Sequence, residues 1–375
     1  MMQQSRPSSR GHLLSLLALQ LLFALTIAYQ TLSDDFLRNL TLAESDFDIH
    51  NQEGLLAPIL IPRVPGTPGQ AKTQQHFVNF FRKELPDWTL LWQNSTGTTP
   101  VTGSRQIPFS NLIVRKEPPW TKPGQANYLT LVAHYDSKFK PDNFIGAIDS
   151  AVPCAILMHI ARFVDKYMKQ MHEEMVALGE LGGTVPMDMG LQILLLDGEE
   201  AFGSSWTSTD SLYGSRALAE EWEHTMNPAL SSYRDPLSQI SLFVLLDLLG
   251  SANPRIPSYF LPTHWAYKNM ASVEDRMRKL DLLETKTKRP FLYEAGKVPD
   301  QFNPSFVGDD HEPFMKRGVP ILHLIPSSFP DVWHTLQDDG EHLDMPTVRD
   351  WCKIVTAFTL EWLDMMEIVP EPEQS

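Results

Sequence analysis

Cysteine is nearly absent from this chain of 375 residues: Cys154 and Cys352 are the only two. That excludes a disulfide scaffold and leaves the core to hold itself together. Positive charge is also scarce. With 31 Lys and Arg against 46 Asp and Glu, the formal net charge is -15, so polyanions are repelled at long range and no nucleic-acid partner is expected. The sequence contains no Gly-x-Ser-x-Gly elbow, no glycine-rich phosphate loop, no His-Glu-x-x-His and no Cys-x-x-Cys. The serine-hydrolase, nucleotide-binding, helix-borne zinc and thiol-redox templates therefore do not apply.

One apolar run stands out, residues 13–29, with Arg6 and Arg10 before it and Asp34 and Asp35 after it. The positive flank should stay cytosolic and the rest should enter the secretory lumen. The run is at the lower limit for spanning a bilayer, and Ala24 to Ser33 offers no clean Ala-x-Ala cleavage site. Residues 1–33 thus read as either a signal anchor or a cleaved signal peptide, giving a secreted or lumenal, Golgi-anchored chain that touches membrane only through that segment. Two glycosylation sequons, Asn39-Leu40-Thr41 and Asn94-Ser95-Thr96, fit a lumenal location. Residues 34–54 are acidic and without periodicity and read as a linker, 55–368 as one catalytic domain, and 369–375 as a tail.

Within the domain, apolar runs at 128–133, 191–196, 240–246 and 319–324 suit strands buried on both faces. Helical spacing at 74–85, 151–166, 211–224, 267–283 and 345–365 alternates with them. The expected fold is α/β, a single globular domain with a central mixed, mostly parallel sheet flanked by helices. Residues 168–190 and 286–306 read as insertions, the second as a functional loop.

Ligands bind at the carboxyl ends of the strands in such sheets. The first strand is followed by His134, Tyr135 and Asp136, the second by Asp197, Gly198, Glu199 and Glu200, the third by Asp247, and the fourth by a loop reaching Trp333 and His334. A catalytic zinc site needs a few nitrogen or oxygen ligands and an open position, and Asp149, Glu200 and His334 are the candidates. Each has an ordinary reading when taken alone: a helix cap for Asp149, a solvated surface pair for Glu199 and Glu200, a packed aromatic beside a satisfied imidazole for Trp333 and His334. Their joint occurrence at successive strand ends favours the site. One of the two glutamates can then bind metal while the other serves as a base. Cys154 and Cys352 read as buried core residues.

These segments resemble the animal glutaminyl cyclases, which are built on the zinc aminopeptidase fold. The similarity is carried by His134-Tyr135-Asp136-Ser137-Lys138, Gly146-Ala147-Ile148-Asp149-Ser150-Ala151, Asp197-Gly198-Glu199-Glu200-Ala201-Phe202, Asp309-Asp310-His311 and Trp333-His334-Thr335, and it runs from about Leu56 to the last helix. The resemblance implies one zinc per chain on Asp149, Glu200 and His334, with Glu199 as acid/base. It implies a hydrogen-bonded carboxyl pair of Asp247 and Asp309, and an apolar pocket of Trp206, Phe329 and Trp333. The implied reaction is closure of N-terminal glutamine of peptides and proteins to pyroglutamate with loss of ammonia, by a monomer.

The sequence departs from that pattern at three places. Ala133 replaces a cysteine that would pair with Cys154, Gly308 replaces a glutamine, and one extra residue lies between Glu200 and Asp210. The competing reading is a two-metal aminopeptidase, in which His134, Asp149, Glu200, Asp247 and His334 would share the ions. A non-catalytic lumenal binding domain is a third reading, set aside because no ligand has been lost.

Overall fold

The computed structural model describes residues 30–365, apart from 186 and 304, together with residue 368. The apolar run at 13–29 and the expected tail at 369–375 lie outside the described residues. Six strands form one mixed sheet: β1 (Thr89–Gly97), β2 (Ile107–Lys116), β3 (Asn127–His134), β4 (Met189–Leu196), β5 (Ile240–Leu246) and β6 (Ile321–Leu324), in the order β1-β2-β4-β3-β5-β6. β1 pairs antiparallel with β2 and β2 antiparallel with β4, while the β4-β3, β3-β5 and β5-β6 pairings are parallel. The four expected strands form this parallel part.

Alternation along each strand feeds two cores. Leu129, Leu131, Ile193, Leu195, Val244 and Leu322 point to one face, where they meet helices α2 (Pro68–Glu84), α3 (Val152–Leu178), α5 (His264–Lys279) and α7 (Met345–Trp362). Val132, Leu194, Leu196, Phe243 and Ile321 point to the other, under α4 (Tyr213–His224) and the short α6 (Glu312–Met315).

Three expectations change. The hairpin β1-β2 was not anticipated; β1 is an edge strand with only Gln93 buried, so it shows no apolar run. Residues 168–190 are not wholly an insertion, because α3 continues to Leu178 before Gly179 ends it in a left-handed turn.

Residues 34–54 are packed onto the domain rather than spanning free of it. They begin with the helix α1 (Asp34–Arg38), and Leu37, Asp46 and Phe47 are buried. Asp46 is the tie: its carboxylate accepts from His159 at 2.6 Å and from Arg162, both on α3, while its carbonyl accepts the Leu55 and Leu56 N–H groups. Burial opposes the ionised form, yet His159 and Arg162 hold Asp46 below the usual carboxylate range.

Removing one partner of a buried ion pair costs about 3–5 kcal/mol because the other is left uncompensated. Asp46→Ala should lower unfolding stability in urea by that order. A chain starting at residue 55 should be destabilised similarly relative to one starting at residue 30, and an unchanged midpoint in both would show that this segment contributes nothing.

Candidate metal centre and catalytic cleft

The turn after β4 must bring two adjacent glutamates to one place, which a regular strand cannot do. Gly198 makes the turn possible: its φ is +72°, and a Cβ there would lie 2.5 Å from the Phe109 ring. Asp136, just past β3, then holds the turn, its two carboxylate oxygens accepting the N–H groups of Glu199 at 3.1 Å and Glu200 at 3.2 Å. Both side chains are buried and both line the same cleft.

Asp149 is placed by an irregular turn ahead of α3. Gly146 at φ +67° opens the turn, where a Cβ would meet the Asp149 carbonyl at 2.1 Å. The Ile148 N–H donates to Asp338 Oδ1 at 2.7 Å, and Asp149 and Ser150 then leave helical geometry before α3 begins. Asp149 does not cap the helix, whose N-cap is Ala151 without a side-chain bond. His334 arrives on the loop after β6, in the left-handed region at φ 56°, its ring stacked on Trp333 at 3.8 Å.

These three side chains converge. His334 Nε2 lies 3.4 Å from Asp149 Oδ2 and 3.3 Å from Glu200 Oε1. Both oxygens are buried and accept no hydrogen bond, an arrangement that leaves two carboxylate oxygens and an imidazole nitrogen facing one point. Such a donor set fits a zinc ion. Lys138 approaches the other oxygen of Glu200 at 3.3 Å.

His134 forms a second possible group with Asp149 and Asp247, but its ring is already occupied. Nδ1 faces Asp136 at 3.3 Å, and Nε2 faces Asp149 Oδ1 at 3.0 Å and Asp247 Oδ1 at 3.4 Å. Burial alone would favour the neutral ring, yet these carboxylates hold its pKa well above the usual range.

Glu199 accepts from the Trp206 indole N–H at 2.9 Å. Its burial, reinforced by Asp309, Glu200 and Asp310 against the opposing His134, pushes its pKa well above that of an ordinary glutamate. Asp247 accepts from the Ser150 hydroxyl and from its neighbour's N–H at 2.9 Å. Asp309 stands behind the cleft wall and bonds to His323 at 2.7 Å and to the Asp310 N–H at 2.6 Å. The carboxyls of Asp247 and Asp309 interact through their charges. Asp247 thereby helps burial to raise Asp309.

The cleft has a volume of about 240 Å³ and is lined by Asp149, Glu199, Glu200, Asp247 and His334 on its polar side, with Trp206, Leu248, Val307, Ile325, Phe329 and Trp333 opposite. Gly308 also lines it, and a Cβ there would sit 3.0 Å from the Trp206 ring. Asp309 and His134 support the site from outside. Sequence reasoning missed the supporting roles of Asp136, Ser150, His323 and Asp338. It also missed Arg63, fully buried, whose guanidinium donates to the carbonyls of Tyr135, Ile59, Ile145 and Gly146. Cys154 and Cys352 are both free and buried, and Cys154 donates to the His134 carbonyl at 3.2 Å.

The family model described as peptidase family M28 matches residues 111–359. The glutaminyl-peptide cyclotransferase of Gloydius blomhoffii is 38% identical over 317 residues, covering 83% of this chain and 80% of the relative. That of Bos taurus is 38% identical over 317 residues, covering 83% and 81%. Among solved structures, the glutaminyl cyclase of Macrostomum lignano superposes with a TM-score of 0.70 at 29% identity, covering 92% of this chain and 96% of that one.

Loss of a residue that orients metal ligands weakens binding by about 10–100-fold. Asp136→Ala removes the acceptor that fixes both glutamate N–H groups and should lower zinc affinity by that order in a chelator-competition titration. Unchanged affinity would mean that the turn holds itself.

Proposed function

Because this chain belongs to peptidase family M28 and, within it, to the glutaminyl-peptide cyclotransferases, we propose that it closes N-terminal glutamine of peptides and proteins to pyroglutamate with one zinc. The observation carrying the single-metal reading is the contrast between the two donor groups. Asp149 Oδ2 and Glu200 Oε1 are unbonded beside His334, whereas both nitrogens of His134 already face carboxylates. Asp149, Glu200 and His334 would hold the ion, which when bound supplies a Lewis acid for a carbonyl.

The reaction is intramolecular. The α-amino nitrogen forms a bond to the side-chain amide carbon, the bond from that carbon to the amide nitrogen breaks, and ammonia leaves. Holding the glutamine folded supplies much of the acceleration, and a cleft of about 240 Å³ walled by Trp206, Phe329 and Trp333 is sized for one side chain rather than an extended peptide. Glu199 takes a proton from the attacking amine and returns it to the departing nitrogen. Trp206 occupies Oε1 of Glu199, which leaves Oε2 to carry that proton. Asp247, fixed by Ser150, steadies the leaving nitrogen, and Asp309 with His323 sets the charge behind it. The secretory location rests on residues 13–29 and the two sequons, both exposed at Asn39 and Asn94.

Loss of a general base costs about 10²–10⁴ in rate. Glu199→Gln should cut ammonia release from a Gln-initiated peptide by that factor while retaining its zinc, and full activity would remove Glu199 from this role. Activity lost to a chelator should return with one equivalent of zinc per chain. A requirement for two equivalents, with release of amino acids from ordinary peptides, would instead favour the aminopeptidase reading. Gly308→Gln should displace the Trp206 ring and raise KM more than it lowers kcat, and the opposite split would show that the ring's position serves the chemical step.

A further inference from the structure

The N-terminal edge of the described chain is fixed to the domain. Leu32 is fully buried, its N–H donates to Glu361 Oε1 at 2.9 Å, and its carbonyl accepts from Arg276. Arg276 also pairs with Asp34 at 3.0 Å and with Glu361 at 3.3 Å. Ser33 then caps α1, and the Phe36 ring packs on Tyr167 at 5.6 Å. Between Leu32 and Tyr29, where the apolar run ends, a fully extended chain reaches at most about 10 Å.

This fixed point lies at the pole opposite the cleft. Leu343 packs, as do Phe329 and Trp333, against the buried cluster of Ile148, Leu248 and Ile325 beside the site, and α7 starts just beyond it. From Met345 to Glu361 that helix rises about 24 Å. A second helix gives the same measure: α3 starts just after Asp149 and Ser150, and from Val152 to Tyr167 it rises about 22 Å. At the far pole, Trp265 is 49% exposed and stacks on Trp362 at 5.3 Å, next to the glutamate that holds Leu32. Leu261 precedes it, 45% exposed, and Lys268, Asp275 and Lys279 continue the exposed face of α5. Exposed tryptophan beside lysine suits a bilayer interface.

We propose that, with residues 13–29 retained as an anchor, the pole carrying Leu32, Trp265 and Trp362 rests on the lumenal lipid surface and the cleft opens away from it. This rests on the anchor reading given above. The consequence concerns substrate class. The anchored enzyme acts on soluble chains, or on membrane proteins whose N-terminus projects far enough from the bilayer to reach the cleft, a height of up to about 24 Å by the helix rise, and not on N-termini that emerge beside their own span.

The test uses the full chain in phosphatidylcholine liposomes, with a fluorophore on Lys268→Cys or, at the cleft pole, on Gln337→Cys; both native cysteines are buried. Nitroxide-labelled lipid should quench the Lys268 probe several-fold more than the Gln337 probe. Equal quenching, or stronger quenching at Gln337, overturns the orientation while leaving the anchor intact. Release of the chain by alkaline carbonate extraction overturns the anchor reading itself, and the orientation with it.

Discussion

Uncompensated negative charge at the carboxyl ends of the parallel strands is the constraint on which the site depends. Asp136, Asp149, Asp197, Glu199, Glu200, Asp247, Asp309 and Asp310 are all buried there. Two nearby residues bring a permanent positive charge: Arg63, whose donors are taken up by carbonyls, and Lys138, which reaches Glu200. Buried like charges at such density cannot all stay ionised. The structure divides them. Burial, with their acidic neighbours, pushes Asp197, Glu199, Asp309 and Asp310 well above the carboxylate range. Asp149 goes the other way, held ionised against its burial by His134 and His334. Glu200 is raised as well, by burial and by Asp149, with His334 and Lys138 opposing, so Asp149 stands apart from the carboxylates around it.

That cluster was legible because of how parallel sheets bury their strands. Strands β3 to β6 have both faces covered, so each reads as a mostly apolar run, and the polar residues of the site follow at or beyond the strand ends: Asp247 directly after β5, Glu199 and Glu200 in the turn after β4, and His334 on the loop after β6. The same logic failed for the β1-β2 hairpin, since an edge strand open to solvent carries no such run. It failed again at residues 34–54, where acidic composition suggested a free linker. Leu37 and Phe47 are too few and too irregularly spaced to show a period, and the partner of Asp46 lies more than a hundred residues away in sequence. Long-range ion pairs leave no local trace.

The supporting residues were hidden for a related reason: each looks ordinary in its own segment. His323 lies within a strand that otherwise reads as apolar core, yet its imidazole holds Asp309. Asp338 lies in a polar loop that resembles a surface turn, yet it fixes the backbone ahead of Asp149. Asp136 was visible in the strand-end triplet, but its service to two backbone N–H groups across the sheet depends on the β3-β4 register. Side chains that touch substrate or metal can be read by type and spacing; those that hold them can be read only once the strands are paired.

The departures from the glutaminyl cyclase pattern fall in two places in the fold. The extra residue between Glu200 and Asp210 lies in the loop that carries Trp206, and the missing side chain at Gly308 lies against that same indole. A Cβ at 308 would lie 3.0 Å from this ring, whose N–H reaches Glu199 at 2.9 Å. Both departures therefore meet at one side chain, the Trp206 indole. The third departure, Ala133 in place of a cysteine, leaves Cys154 without a disulfide partner, but its thiol bonds to the His134 carbonyl and the strand end stays tied to α3 without the covalent link.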